Sequence, residues 1–292
     1  ILGAMGWFIA SSWDRLPGIA LFLIALVYAA LFGGLGTRLF RQPATRVPGG
    51  ILVTVAVCMT PLAVYGLERQ LGWWPMGNHL PSSGFHPSVA GNWVLVELAT
   101  MLLALLALRS VRFPFLTAPT AGALWYLSLD VPALLFGTHW TFHQECWMAI
   151  GFGLLMLLAA YRLDDDIELD FAFWFYLFGL LSFNIGLTML GDGSQLASAL
   201  YCLLHLLLML LAVVLQRKAF LVFGALGVFA YLLNEAQSYF RNSLTFSLAL
   251  TVLGGLFIAA GILYKRNEQS ISTRLRPLMP TRIRQRHGIS VA

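Results

Sequence analysis

Along this chain, runs of apolar residues that reach about 20 positions, enough to span a bilayer as helix, alternate with short polar connections. The apolar positions do not follow the strict two-residue alternation of a half-buried strand, so the pattern reads as helix. It predicts helices at 17–37, 48–67, 92–108, 113–134, 145–162, 171–190, 195–215, 219–238 and 244–264, with a partial one at 1–12. The partial helix is too short to cross the ~30 Å hydrocarbon layer. Because the chain opens on Ile1 rather than Met, residues upstream of it are expected. The opening stretch does not read as a signal peptide, having no basic leader and no evident cleavage site. The expected fold class is an all-α polytopic transmembrane bundle of about ten crossings, the first incomplete in this chain. Residues 1–264 form the helical domain and 265–292 a basic tail.

Composition supports lipid as the solvent. Charged residues are 11% of the 292 and hydrophobic ones 59%, with a mean hydropathy of +0.78. Soluble domains carry about 25% charged residues, so this chain lacks the polar surface to face water all round. In hydrocarbon the backbone must satisfy itself, which leaves helices or closed barrels. The positive charges then give an orientation. Fifteen of the 18 lysines and arginines fall on one set of connections: Arg38, Arg41 and Arg46; Arg109 and Arg112; Arg162; Arg217 and Lys218; and the tail from Lys265. The opposite set holds Arg15, Arg69 and Arg241. By the positive-inside rule both ends are expected in the cytoplasm of a bacterial inner-membrane protein.

Two further patterns bear on organisation. Residues 68–91 form a long outer loop with the pair Trp73 and Trp74, rings suited to the headgroup region; contact with lipid or a partner is expected there. Residues 98–127 and 203–232 match at an offset of 105, pairing Arg112 with Arg217, Gly122 with Gly227 and Tyr126 with Tyr231. Both copies run in the same sense, so the duplication would be a parallel internal repeat; leucine bias alone also generates such matches.

Ionisable and strongly polar groups within the spans are the candidates for function, because each is costly in a bilayer. Glu97 lies about a turn inside its span and shares a helix face with Trp93 and Thr100. His205 sits near mid-span, Asn184 in the outer half of its helix, and Asn234 and Glu235 at an outer helix end, as does Asp130. Helix ends reaching the headgroups account for Asp130 and Glu235. For the deeper Glu97 and His205, a water-filled outer vestibule lined by Glu97, Thr100, Asn184, His205, Asn234 and Glu235 is the alternative. His139 and His143, four apart, would suit a metal only if that stretch were helical; wet loop histidines, like His79 and His86, are the simpler account. Ser128, Asp130 and these histidines have no spacing specific to an intramembrane hydrolase. Cys58, Cys146 and Cys202 are an odd count without a CxxC pair and read as small buried thiols. Asp164, Asp165, Asp166, Glu168 and Asp170 precede a helix start, where carboxylates are favoured. The tail carries Arg274, Arg276, Arg282, Arg284 and Arg286, each worth ~1 kcal/mol near an anionic leaflet, so lipid adhesion suffices, with docking to a partner as the sharper alternative. No phosphate-binding loop or nucleophile elbow occurs.

Five stretches, WFIASSWDRLPGIALFLIALVYAALF (7–32), TVAVCMTPLAVYGLE (54–68), RFPFLTAPTAGALWYLSLD (112–130), FAFWFYLFGLLSF (171–183) and VFGALGVFAYL (222–232), carry a resemblance, and LYKRNE (263–268) closes it. They resemble the bacterial inner-membrane proteins grouped as domain of unknown function family 2157. The resemblance implies a multi-pass fold, often with a cytoplasmic segment ahead of the first helix, and it brings no residues of established role. The histidine-rich loops at 79–86 and 139–143 fall outside its pattern.

Two function classes are expected from the sequence. The first is a non-enzymatic scaffold or accessory subunit of a membrane complex, favoured by abundant aromatic and small residues and few intramembrane charges. The second is a transporter or channel for a small solute or lipid that uses the outer polar groups. An enzyme ranks below both. No cofactor is expected; the partners expected are membrane lipids and another membrane or periplasmic protein, not nucleic acid.

Overall fold

A computed structural model describes residues 16–73, 92–136, 141–164, 169–191 and 194–239, with scattered helical positions between 248 and 266. The partial helix at 1–12, Trp74, His79, His86, His139 and the tail arginines Arg274, Arg276, Arg282, Arg284 and Arg286 lie outside the described residues, as does most of 244–264. Every regular element among the described residues is helical. The helices are α1 (Gly18–Phe40), α2 (Arg46–Val57), α3 (Thr60–Gln70), α4 (Asn92–Ser110), α5 (Thr117–Phe136), α6 (Phe142–Leu163), α7 (Phe173–Leu190), α8 (Gln195–Leu215) and α9 (Lys218–Tyr239). Helices thus occupy eight of the ten expected spans, with α2 and α3 sharing one. Among the described residues, seven segments, α2–α3 counted together, are long and apolar enough to cross a membrane.

Burial argues for the same solvent. Only 17% of the most apolar window of α1 is buried, and 22% of that of α8. Leu31, Leu102, Leu155 and Leu203 are all more than half exposed. Such apolar surface would aggregate in water and is the ordinary outer surface of a helix in lipid. The described helices are those of a multi-pass membrane protein.

The chain divides into two compact units, 1–182 and 183–292. In the first, α1 lies along α2 and α3. Lipid tails are as apolar as leucine, so helices in a bilayer associate through close packing rather than water exclusion. Glycine makes that approach possible at both ends of α1. A Cβ on Gly36 would come within 2.9 Å of the Val53 backbone N, and one on Gly66 of α3 within 2.7 Å of that of Phe22. Leu21, Ala25, Met59, Leu62 and Tyr65 fill the seam, and Val53, Val57, Ala104, Val111 and Leu116 fill a second one reaching α4.

Pro61 explains why one span contains two helices. It has no N–H for the Val57 carbonyl and its ring crowds that turn. The ladder tightens to Met59 N–H on Ala56 O (3.2 Å) and resumes with Ala63 N–H on Met59 O (3.0 Å). Farther along, Thr141 and Gln144 form a reciprocal capping box that starts α6 at Phe142. Asp164 closes α6 and accepts a hydrogen bond from the Tyr176 hydroxyl (3.3 Å), while 165–168 lie outside the described residues. Ser182 of α7 donates to the Ala149 carbonyl of α6 (2.8 Å).

In the second unit α8 starts on Ser194, whose hydroxyl accepts from Ala197 N–H (3.2 Å). It ends at Gln216 in the left-handed conformation (φ 54°), and α9 begins two residues later. Both hairpins of the proposed repeat, α4–α5 and α8–α9, therefore exist as helix pairs at matching positions.

Candidate functional site

The sequence-derived vestibule residues fall in both units, and each unit builds its own polar site. In the first unit Glu97, on the second turn of α4, is 5% exposed, and its Oε2 has no hydrogen-bond partner among the described residues. Asp130 of α5 lies within electrostatic range of Glu97. Asp130 does not sit at a wet helix end, contrary to the sequence expectation. The helix runs on to Phe136, past the predicted 134, so Asp130 is about 1.5 turns inside it and 6% exposed. Thr100 lies a turn beyond Glu97, also buried, but its hydroxyl is spent on the Val96 carbonyl of its own helix (2.7 Å). Ser128 is likewise turned to the Trp125 carbonyl (2.5 Å), so it presents no free nucleophile.

The sequence reading missed Glu68 by assigning it to the outer loop. It is in the last turn of α3, 2% exposed, and neither carboxyl oxygen has a hydrogen-bond partner among the described residues. The available signal was its spacing from Leu62 and Tyr65, three residues per step along the buried face of α3.

The second unit brings Asn184 and His205 together. Asn184 of α7 meets His205 Nε2 of α8 at 2.7 Å, and His205 Nδ1 meets the Tyr201 carbonyl at 2.8 Å. A carbonyl can only accept, so Nδ1 carries the proton. In a neutral imidazole Nε2 then accepts, and Asn184 presents its amide N–H₂, the amide's two ends being interchangeable in position. The Tyr201 ring lies against the imidazole, with centroids 4.1 Å apart. Gly227 of α9 covers another side so closely that a Cβ there would overlap the ring. His205 is fully buried.

Above this histidine, towards the ends of α7 and α8, is a cavity of about 500 Å³. Leu187, Thr188, Tyr201, Leu204, Tyr231 and Asn234 are among its lining residues, and the Thr188 and Tyr201 hydroxyls are 3.2 Å apart. Asn234 of the predicted set thus contributes to the cavity, whereas Glu235 is half-buried beside it and does not line it. Tyr201, Thr188 and Tyr231 went unselected because uncharged hydroxyls in an apolar run give no distinctive signal.

Of the two metal candidates, His139 lies outside the described residues. Thr141 is the extended N-cap of α6, and His143 is exposed on the first turn of that helix. Among the described residues no group of three or more His, Cys, Asp or Glu could hold a metal ion. Cys146 is buried, Cys58 and Cys202 are half-buried, and all three are free thiols. Trp73 is 62% exposed. No family model matches the chain, and neither the curated proteins nor the solved structures give a match.

Proposed function

We propose that this chain is a multi-pass bacterial inner-membrane carrier for a small solute, with Glu97 and Asp130 as the seat of a positive charge. The proposal includes cytoplasmic termini, as the arginine distribution favours, and membership of the 2157 family that the sequence resembles. One observation carries it: Glu97 is buried in a bilayer-length helix, with a carboxyl oxygen that has no hydrogen-bond partner among the described residues and a second buried carboxyl group in electrostatic range. Two carboxyl groups in low dielectric are expensive unless a cation or proton joins them. A proton, a sodium ion or the ammonium group of a solute would serve, and the expense explains why such a pair needs a use.

The test is electrical. Protein reconstituted on a solid-supported membrane is exposed to jumps in sodium, in pH and in a panel of amines and amino acids. A current that disappears in Glu97→Gln, with helix content and elution volume unchanged, is the expected result. Wild-type silence to every jump, or equal currents in both proteins, would overturn the carrier reading.

A scaffold or accessory subunit is the second reading, favoured by the exposed indoles of Trp73 and Trp147 on elements at the arginine-poor end of the first unit. It predicts a stoichiometric companion chain after gentle extraction, lost on deletion of 68–91 and indifferent to Glu97→Gln.

A further inference from the structure

We infer that the cavity between α7, α8 and α9 is a binding site for an uncharged amphiphile, a single-chain lipid with a hydroxylated head such as a monoacylglycerol. The volume of about 500 Å³ falls within the ~300–1,000 Å³ typical of small-molecule sites. Every lining residue described is uncharged, so a phosphate or carboxylate would enter without a counter-charge and lose its hydration. The lining offers hydroxyl and amide groups together with apolar surface from Leu187, Leu190, Leu200 and Leu204, as such a molecule requires. Ser198 and Thr188 lie near the ends of their helices, with Asn234 about a turn from the end of α9. Leu204 is six residues beyond Ser198, or roughly 9 Å deeper at 1.5 Å per residue. The Thr188 and Tyr201 hydroxyls, 3.2 Å apart, share one proton between them, which leaves the other proton to donate to a head oxygen and free lone pairs to accept from a head hydroxyl. Tyr201 is held in place from beneath, since its ring rests on a histidine whose two nitrogens are both occupied. The site involves no residue of the Glu97–Asp130 pair, so it stands whether or not the chain transports a solute.

Photocrosslinking of the intact protein in phosphatidylcholine vesicles tests the inference. The probes are a monoacylglycerol with a diazirine in its chain and the fatty acid with the same chain. The expected result is adducts concentrated on the peptide containing Tyr201 and Leu204, at least fivefold stronger for the monoacylglycerol. Ala230→Trp, which fills the cavity, should remove them, and Tyr201→Phe, which keeps the ring and deletes only the hydroxyl, should weaken them severalfold. Labelling spread evenly over lipid-facing helices, equal labelling by both probes, or labelling unchanged in Tyr201→Phe would overturn it. Should Ala230→Trp fail to fold, the probe comparison and Tyr201→Phe decide alone.

Discussion

Gly227→Ala is the sharpest test of how α8 meets α9. In a helix with free space, glycine to alanine is favourable by up to ~1 kcal/mol. Here the added Cβ would overlap Cδ2 and Nε2 of His205. The ring cannot simply turn aside, because Nδ1 is held by the Tyr201 carbonyl at 2.8 Å and Nε2 by Asn184 at 2.7 Å. Relief requires either losing the interhelical hydrogen bond, worth ~0.6 and at most ~1.7 kcal/mol in membrane proteins, or pushing α9 outward, an overpacking cost of about 1–3 kcal/mol. Subtracting the propensity gain leaves a net loss of about 0–2 kcal/mol. His205→Ala alone is also destabilising, since it empties a buried site and strips Asn184 of a partner. The double variant should lose less than the sum by at least ~1 kcal/mol, because alanine at 227 then has the ring's space. Unfolding in mixed detergent micelles, followed by tryptophan fluorescence, measures all four corners of the cycle. Gly151→Ala, where a Cβ meets nothing within 4 Å, is the control and should be neutral or stabilising. A Gly227→Ala variant more stable than the wild type, or strict additivity with His205→Ala, would refute the packing described.

Three other outcomes follow from the fold. Gly36→Leu should destabilise by about 3 kcal/mol or more, since the Val53 backbone blocks the side chain, while Gly34→Leu, facing open space, should not; both are read by the same unfolding assay. Thr141→Ala removes one half of the capping box and should cost ~1 kcal/mol, with faster amide exchange confined to the first turn of α6. Glu68→Leu replaces two partnerless buried oxygens with apolar volume and should raise the unfolding midpoint, corresponding to about 1–3 kcal/mol; a lowered midpoint would show that this carboxyl group has a structural partner.

Hydropathy made most of the helical architecture legible, since spans as apolar as 195–215 and 171–190 leave no other structure in lipid. What it could not supply was rotation about each helix axis. Sequence placed Glu97, Asn184 and His205 at a depth, but a helix apolar on every side gives no periodicity to orient them. Asn184 and His205, 21 residues apart, meet because of how α7 and α8 pack, and nothing local encodes that. Asp130, already four residues inside the predicted end at 134, was misplaced because an apolar run does not show which of the residues near its end are buried. Glu68 was hidden by its neighbours, since ERQ reads as the start of a loop although its first residue is on the buried face. The break at Met59 was foreshadowed only by Pro61, which membrane helices commonly accommodate without interruption.

The left-handed Gln216 has a bearing on biogenesis. With one such residue and Arg217 between them, the last turn of α8 and the first of α9 cannot be far apart at any stage of synthesis. The two segments can therefore pair soon after α9 is made, bringing the glycine face to the histidine early. A longer linker at that point would release His205 into lipid before its glycine cover arrives, and quality-control proteolysis of the nascent protein would register the delay.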